Sequence, residues 1–234
     1  MNTSRVTIQY GSKPYLLVAP HGYQGDDYNT ALITERCASI MNCSAIVNHG
    51  WQKTNKLDID NDKANCNNYF HMKDVVADEF LHPVLRTANN ISKRNGICIV
   101  CWVHGVSNTI RSICAVNDID MIFGNGEGRK IHSYTCPLSL KEYVLHMLNE
   151  NGLKAYDSQG GSNYAGYAES NMNQLWTRHH VNPKVYSFQI EIVKDLREDE
   201  TISILTAEYM AEAMKNMISF RNWLRPKYTT FRKV

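Results

Sequence analysis

Ile97-Cys98-Ile99-Val100-Cys101-Trp102-Val103 opens onto His104-Gly105, and an earlier run, Tyr15-Leu16-Leu17-Val18-Ala19-Pro20, opens in the same way onto His21-Gly22. A continuous apolar run of this length, bounded by turn residues, reads as a strand buried on both faces of a largely parallel sheet. Each histidine then belongs at a strand's carboxyl end, the edge where open α/β sheets bind ligands.

Working outward, residues 29–41 place Leu32, Ile33, Cys37, Ile40 and Met41 on one helical face, with an Asp or Asn cap just upstream. Residues 44–48 form a short strand, and the polar stretch from His49 to Asn68 is a long loop of the kind that is usually functional. A helix over 74–93 carries Val75, Phe80, Leu81, Val84 and Leu85 inward and is kinked or divided by Pro83. Strands over 118–124 and 153–156 flank a helix over 139–151, and a further helix lies near 169–177. After the strand 186–192, residues 201–223 make a closing amphipathic helix through Ile204, Leu205, Tyr209, Met210, Ala213, Met217 and Phe220. Alternating strands and helices of this kind predict an α/β fold, a three-layer αβα sandwich around a mixed, mostly parallel sheet. No repeat or linker divides it, so residues 1–234 read as a single domain.

Composition narrows the function classes. The chain has 234 residues, 43% hydrophobic and 21% charged, values ordinary for a globular protein. With 25 basic against 23 acidic residues, its charge of +2 gives no general electrostatic case for nucleic acid or membrane binding. No apolar stretch approaches the roughly 18–20 residues that span a bilayer, and the N-terminus lacks a signal-peptide pattern, which predicts a cytoplasmic protein. Seven cysteines, an odd number, fit free thiols in a reducing compartment. Cys98 and Cys101 form a Cys-x-x-Cys string, but within a strand they point to opposite faces, so they read as buried structural thiols.

The chemistry gathers around the two histidines. Catalytic zinc is held by three nitrogen or oxygen ligands with one position left for a water. His21, His104 and a member of the pair Asp26-Asp27 supply such a set, and spacing alone leaves open which aspartate ligates. Either aspartate could equally be a helix cap. Glu191 lies among apolar neighbours in its strand, and a carboxylate there is costly unless paired. Alternation puts Phe188, Ile190 and Ile192 on one face and Gln189 and Glu191 on the other, the face that would aim Glu191 at a bound water.

The segments Leu17-Val18-Ala19-Pro20-His21-Gly22 with Asp26-Asp27-Tyr28-Asn29-Thr30, then Lys63-Ala64-Asn65-Cys66-Asn67-Asn68, Val103-His104-Gly105, and Ser187-Phe188-Gln189-Ile190-Glu191-Ile192 with Leu196-Arg197, follow one another in order. In that order they resemble the N-formylglutamate amidohydrolase family, which is similar to the zinc carboxypeptidases and the poly-γ-glutamate hydrolases. The resemblance implies a phosphorylase/hydrolase-like α/β fold, one zinc ion, and hydrolysis of an amide bond, N-acyl amino acid or γ-glutamyl, beside a carboxylate of a small or peptide-like substrate. It implies His21, Asp27 and His104 as metal ligands, a metal-bound water as nucleophile, and Glu191 as general base. Asn65, Asn67 and Asn68 would orient the substrate. Many relatives show Asp-x-Asn-Arg where this chain has Asn65-Cys66-Asn67-Asn68, so Arg129 or Arg178 would take over the substrate carboxylate.

Two other readings compete. One is cysteine-dependent hydrolysis with Cys66 or Cys101 as nucleophile and His104 as base, although Cys101 alternates away from His104. The other is a metal-free or inactive ligand-binding module on the same fold.

Overall fold

A computed structural model describes residues 5–23, 25, 27–52, 65–113, 118–128, 134–158 and 162–217. Its centre is a seven-stranded sheet built from β1 (Val6–Gln9), β2 (Tyr15–Ala19), β3 (Ser44–Asn48), β4 (Cys98–Val106), β5 (Met121–Gly124), β6 (Ala155–Asp157) and β7 (Val185–Val193), in the order β1-β3-β2-β4-β7-β5-β6. The pairs β2–β3, β2–β4, β4–β7 and β5–β6 are parallel, while β1–β3 and β5–β7 are antiparallel. The mixed, mostly parallel sheet expected from the apolar runs is therefore present.

Alternation along the strands sorts the core into two layers. Ile99, Cys101, Val103, Phe188, Ile190 and Ile192 face a cluster that includes Cys37 and Met41 of α1 (Thr30–Met41), Leu140 and Val144 of α5 (Leu138–Glu150), and Met210 and Met214 of α6 (Glu200–Met214). Cys98, Val100 and Trp102 face the opposite cluster, with Val84, Ala88 and Ile91 of α3 (His82–Asn95). The short helices α2 (Asp74–Val76) and α4 (Ile110–Ile113) complete the set. Helices on both faces of one sheet give the three-layer arrangement.

Several local expectations change. The helix expected over 74–93 is interrupted by a π turn, Ala77–Leu81, directly before Pro83. Proline has no N–H and its ring crowds the carbonyl four residues back, that of Glu79, so the preceding turn widens instead of closing regularly. Val75, assigned inward, is exposed, as are Ile40 of α1 and Leu205 and Tyr209 of α6. The buried stripe of α6 instead runs through Ser203, Thr206, Ala207, Met210, Ala211 and Met214. The helix expected near 169–177 is a 3-10 turn, Met172–Gln174, followed by a π turn, Leu175–His179. The edge strand β1 was not anticipated. Of the long loop between His49 and Asn68, residues 53–64 lie outside the described residues, as does the closing helix beyond residue 217.

The connections fix where a crevice opens. From β2 the chain passes through α1 to β3 on one side, and from β3 it passes through α3 on the other face to β4, which lies on β2's far side. The chain order therefore reverses between β2 and β4, and the space beyond their carboxyl ends is the switch-point crevice of an open α/β sheet.

Candidate metal centre

Three buried side chains converge on that crevice. His21 follows β2, Asp27 stands ahead of α1, and His104 lies near the end of β4, each no more than 6% exposed. The strand β4 runs two residues beyond its histidine, to Val106, so His104 lies within the ladder and not after it. Asp27 Oδ2 is 3.5 Å from His21 Nδ1 and 3.5 Å from His104 Nδ1. Among the described residues this is the group of three whose ligand atoms all lie within 4.8 Å of one another. Bonds of about 2.0–2.1 Å to a tetrahedral centre would set neighbouring donors about 3.3 Å apart, so the observed spacing fits a small ion.

Hydrogen bonding supports the same reading. Asn65 Oδ1 accepts the backbone N–H of Asn67 at 2.9 Å, which identifies that atom as the amide oxygen. It also lies 2.9 Å from His21 Nε2, so Nε2 must carry the proton it donates. With Nε2 committed to Asn65, Nδ1 is the ring nitrogen that faces Asp27 Oδ2 at 3.5 Å, the atom placed to ligate an ion shared with the carboxylate. Asp27 Oδ2 itself is buried with no conventional hydrogen bond among the described residues. Burial opposes ionisation of Asp27, but the two imidazoles beside it win, and its carboxyl is held well below the usual range.

Asp27 does not cap α1. Its backbone carbonyl accepts Thr30 Oγ1–H at 2.8 Å, leaving the carboxylate free to face the histidines. Asn29 occupies the cap position in a left-handed conformation (φ 62), and its amide donates to the Arg197 carbonyl at 3.0 Å instead of closing the helix. Asp26, the other candidate ligand, lies outside the described residues.

Glu191 stands directly across from His104 in the parallel register of β4 and β7. Neighbouring strands are about 4.8 Å apart, so the carboxylate and the imidazole project side by side from one sheet face. Gln189 Nε2 donates to Glu191 Oε1 at 3.0 Å and to the Tyr164 carbonyl at 3.0 Å. Sequence alternation had put Gln189 on this face without giving it a task; the hydrogen bond supplies one. Beside Asp27 a cavity of about 570 Å³ is lined also by Tyr28, Gly105, Ser107, Lys194, Arg197 and Glu198.

The remaining candidates divide. Asn65 contacts His21, and the loop it starts is tied down where Asn68 bridges to Asn171 and Tyr69 N–H donates to the Ser170 carbonyl. Asn67 and Asn68 each have a buried side-chain oxygen with no hydrogen-bond partner among the described residues. Arg178 Nε donates to Gln174 Oε1 at 3.1 Å, and its Nη1 lies 4.0 Å from Glu169. Arg129 lies outside the described residues. Cys66 and Cys101 are fully buried and their thiols are pushed far up by burial, which removes the thiolate that a cysteine nucleophile needs.

No protein-family model and no curated protein matches the sequence. Solved structures do. N-formylglutamate amidohydrolase from Ralstonia eutropha JMP134 superposes with a TM-score of 0.64 at 13% identity, over 94% of this chain and 100% of that one. This chain has the fold of that amidohydrolase. A bacteriophage poly-γ-glutamate hydrolase matches with a TM-score of 0.56 at 13% identity, over 94% of this chain and 90% of that one. A putative carboxypeptidase A from Shewanella denitrificans matches at 0.51 and 12% identity, over 92% of this chain and 60% of that one. The hydrolase-like fold inferred from the ordered motifs is thus present.

Proposed function

We propose that residues 1–234 form a single zinc-dependent amidohydrolase unit that cleaves an amide bond beside a carboxylate, in an N-acyl amino acid or a γ-glutamyl peptide. The observation that carries this reading is the placement of Asp27 Oδ2 at 3.5 Å from both His21 Nδ1 and His104 Nδ1. Two imidazoles and one carboxylate are a donor set suited to catalytic zinc, with coordination left over for a water. The names of two solved neighbours, an N-formylglutamate amidohydrolase and a poly-γ-glutamate hydrolase, point to amides of glutamate as the first substrates to test.

In this reading His21, Asp27 and His104 hold the ion, and Asn65 keeps His21 in the tautomer that offers Nδ1. Zinc held there would supply an acidified water and polarisation of the scissile carbonyl. Glu191, oriented by Gln189, takes the proton from the attacking water and delivers it to the departing amine. The buried side-chain oxygens of Asn67 and Asn68, without partners among the described residues, accept substrate N–H groups, and Arg178 and Arg129 are the cations assigned to the carboxylate.

The test is metal content together with turnover. About one zinc per chain, with release of amine from N-formylglutamate or a γ-glutamyl peptide that stops with chelator and returns with zinc, is expected. Chelator-resistant turnover would overturn the metal mechanism. A protein that neither contains nor takes up zinc, and binds such compounds without cleaving them, would be a ligand-binding module.

A further inference from the structure

One guanidinium joins the backbone beside three of the four site residues. Arg197 ends the 3-10 turn Lys194–Arg197 that follows β7, and it is only 6% exposed. Its Nε donates to the carbonyl of Ile192 at 3.1 Å, its Nη1 to that of Tyr28 at 3.0 Å, and its Nη2 to that of Val106 at 3.3 Å. Ile192 follows Glu191, Tyr28 follows Asp27, and Val106 is two residues past His104. The Arg197 carbonyl also accepts the Asn29 amide at 3.0 Å, so the turn that presents Asp27 is gripped by both the side chain and the backbone of one residue.

Gly105 is shaped for this contact. A Cβ on Gly105 would lie 2.4 Å from Arg197 Cζ and 2.6 Å from Nε and Nη2, inside any permitted separation. The planar group lies where a side chain on β4 would be, next in the chain to His104 but on the opposite face of the strand. Arginine is suited to the task because its fork donates in several fixed directions at once, which an ammonium on a flexible stem does not reproduce.

We propose that Arg197 is a positioning residue of the metal centre, fixing the Asp27 turn against the ends of the strands that carry His104 and Glu191. The proposal rests on the metal-centre reading, because a spacing matters only if those side chains share a ligand. Residues that orient ligands in this indirect way typically change metal affinity by about 10–100-fold when removed.

The experiment compares wild type with Arg197→Lys and with Val144→Ala, a buried α5 substitution in the core layer on the sheet face away from His104 and Glu191, chosen as a control for lost stability. Zinc affinity is read by chelator competition, cobalt(II) geometry by its visible spectrum, and unfolding by melting of the metal-free proteins. Arg197→Lys is expected to lose about 10–100-fold in zinc affinity and to alter the cobalt spectrum. Val144→Ala is expected to melt earlier with affinity and spectrum unchanged. Equal zinc affinity and an unaltered spectrum in Arg197→Lys overturn the proposal while leaving the metal reading in place. Wild-type protein that takes up neither metal overturns the metal reading, and the proposal with it. Should Arg197→Lys fail to fold, Gly105→Ala, which displaces the guanidinium from the other side, is read against the same outcomes.

Discussion

Asn65 is a residue whose type was legible in the sequence and whose use was not. Asparagine-rich loops suggest substrate contacts, yet here the amide oxygen accepts from His21 Nε2, a contact across 44 positions that no local pattern encodes. Asn65→Ala is expected to weaken zinc binding about 10–100-fold, measured by chelator competition. Glu191 was legible because a carboxylate inside an apolar strand needs a reason. Glu191→Gln should keep the metal and lose turnover by about 10²–10⁴-fold, the range for a general base; full turnover in that variant removes its role. Asp27 also predicts a pH dependence for the metal-free protein. Its carboxyl is held below the ordinary value of 3.8, so its contribution to stability is present above about pH 4 and is lost as the pH falls further. The stability gap between wild type and Asp27→Asn, followed by urea unfolding, should therefore narrow as the pH falls below about 4. The glycines after the two histidines are legible only as turn signals. In space Gly105 makes room for Arg197, and a Cβ on Gly22 would lie 3.0 Å from the Asn48 carbonyl oxygen.

Among elements, the central strands were the easiest to read, since burial on both faces demands an unbroken apolar run and little else produces one so short. β1 escaped because Val6–Gln9 is four residues long with only Val6 fully buried, a pattern too short to distinguish from a loop. α6 misled for a different reason: its apolar residues run around most of the helix, so periodicity could not say which stripe would meet the sheet. Leu205 and Tyr209 lie outside it. Phe188 of β7 stacks on Phe123 of β5 with ring centroids 4.8 Å apart, and both are fully buried. This contact holds β5 against its antiparallel neighbour β7, the strand that carries Glu191. Phe188→Ala should cost about 3–5 kcal/mol, seen as a lower urea midpoint with an unchanged slope.

For the whole molecule, strand order brings together residues that sequence spacing keeps apart. His21 and His104 are separated by 83 positions and meet because β2 and β4 are neighbours, with rings 5.4 Å apart. The motif order suggested this pairing, whereas the clamp formed by Arg197 depends on β7 lying next to β4, which only the assembled sheet reveals. If the site binds zinc, the ion prefers the folded chain and must stabilise it. At a free concentration about 100 times its dissociation constant it adds about 2.7 kcal/mol, which for a chain of this size raises the melting temperature by roughly 5–11 °C. No shift on adding zinc to chelated protein would count against the site. The central strand β4 carries one more consequence. Cys98 faces the α3 layer and Cys101 the α1 and α6 layer, and both thiols are sealed from water. They amount to two clocks, one on each side of a single strand. Variants that keep only one or the other would report, through their rates of alkylation, which sheet face parts from its helices first.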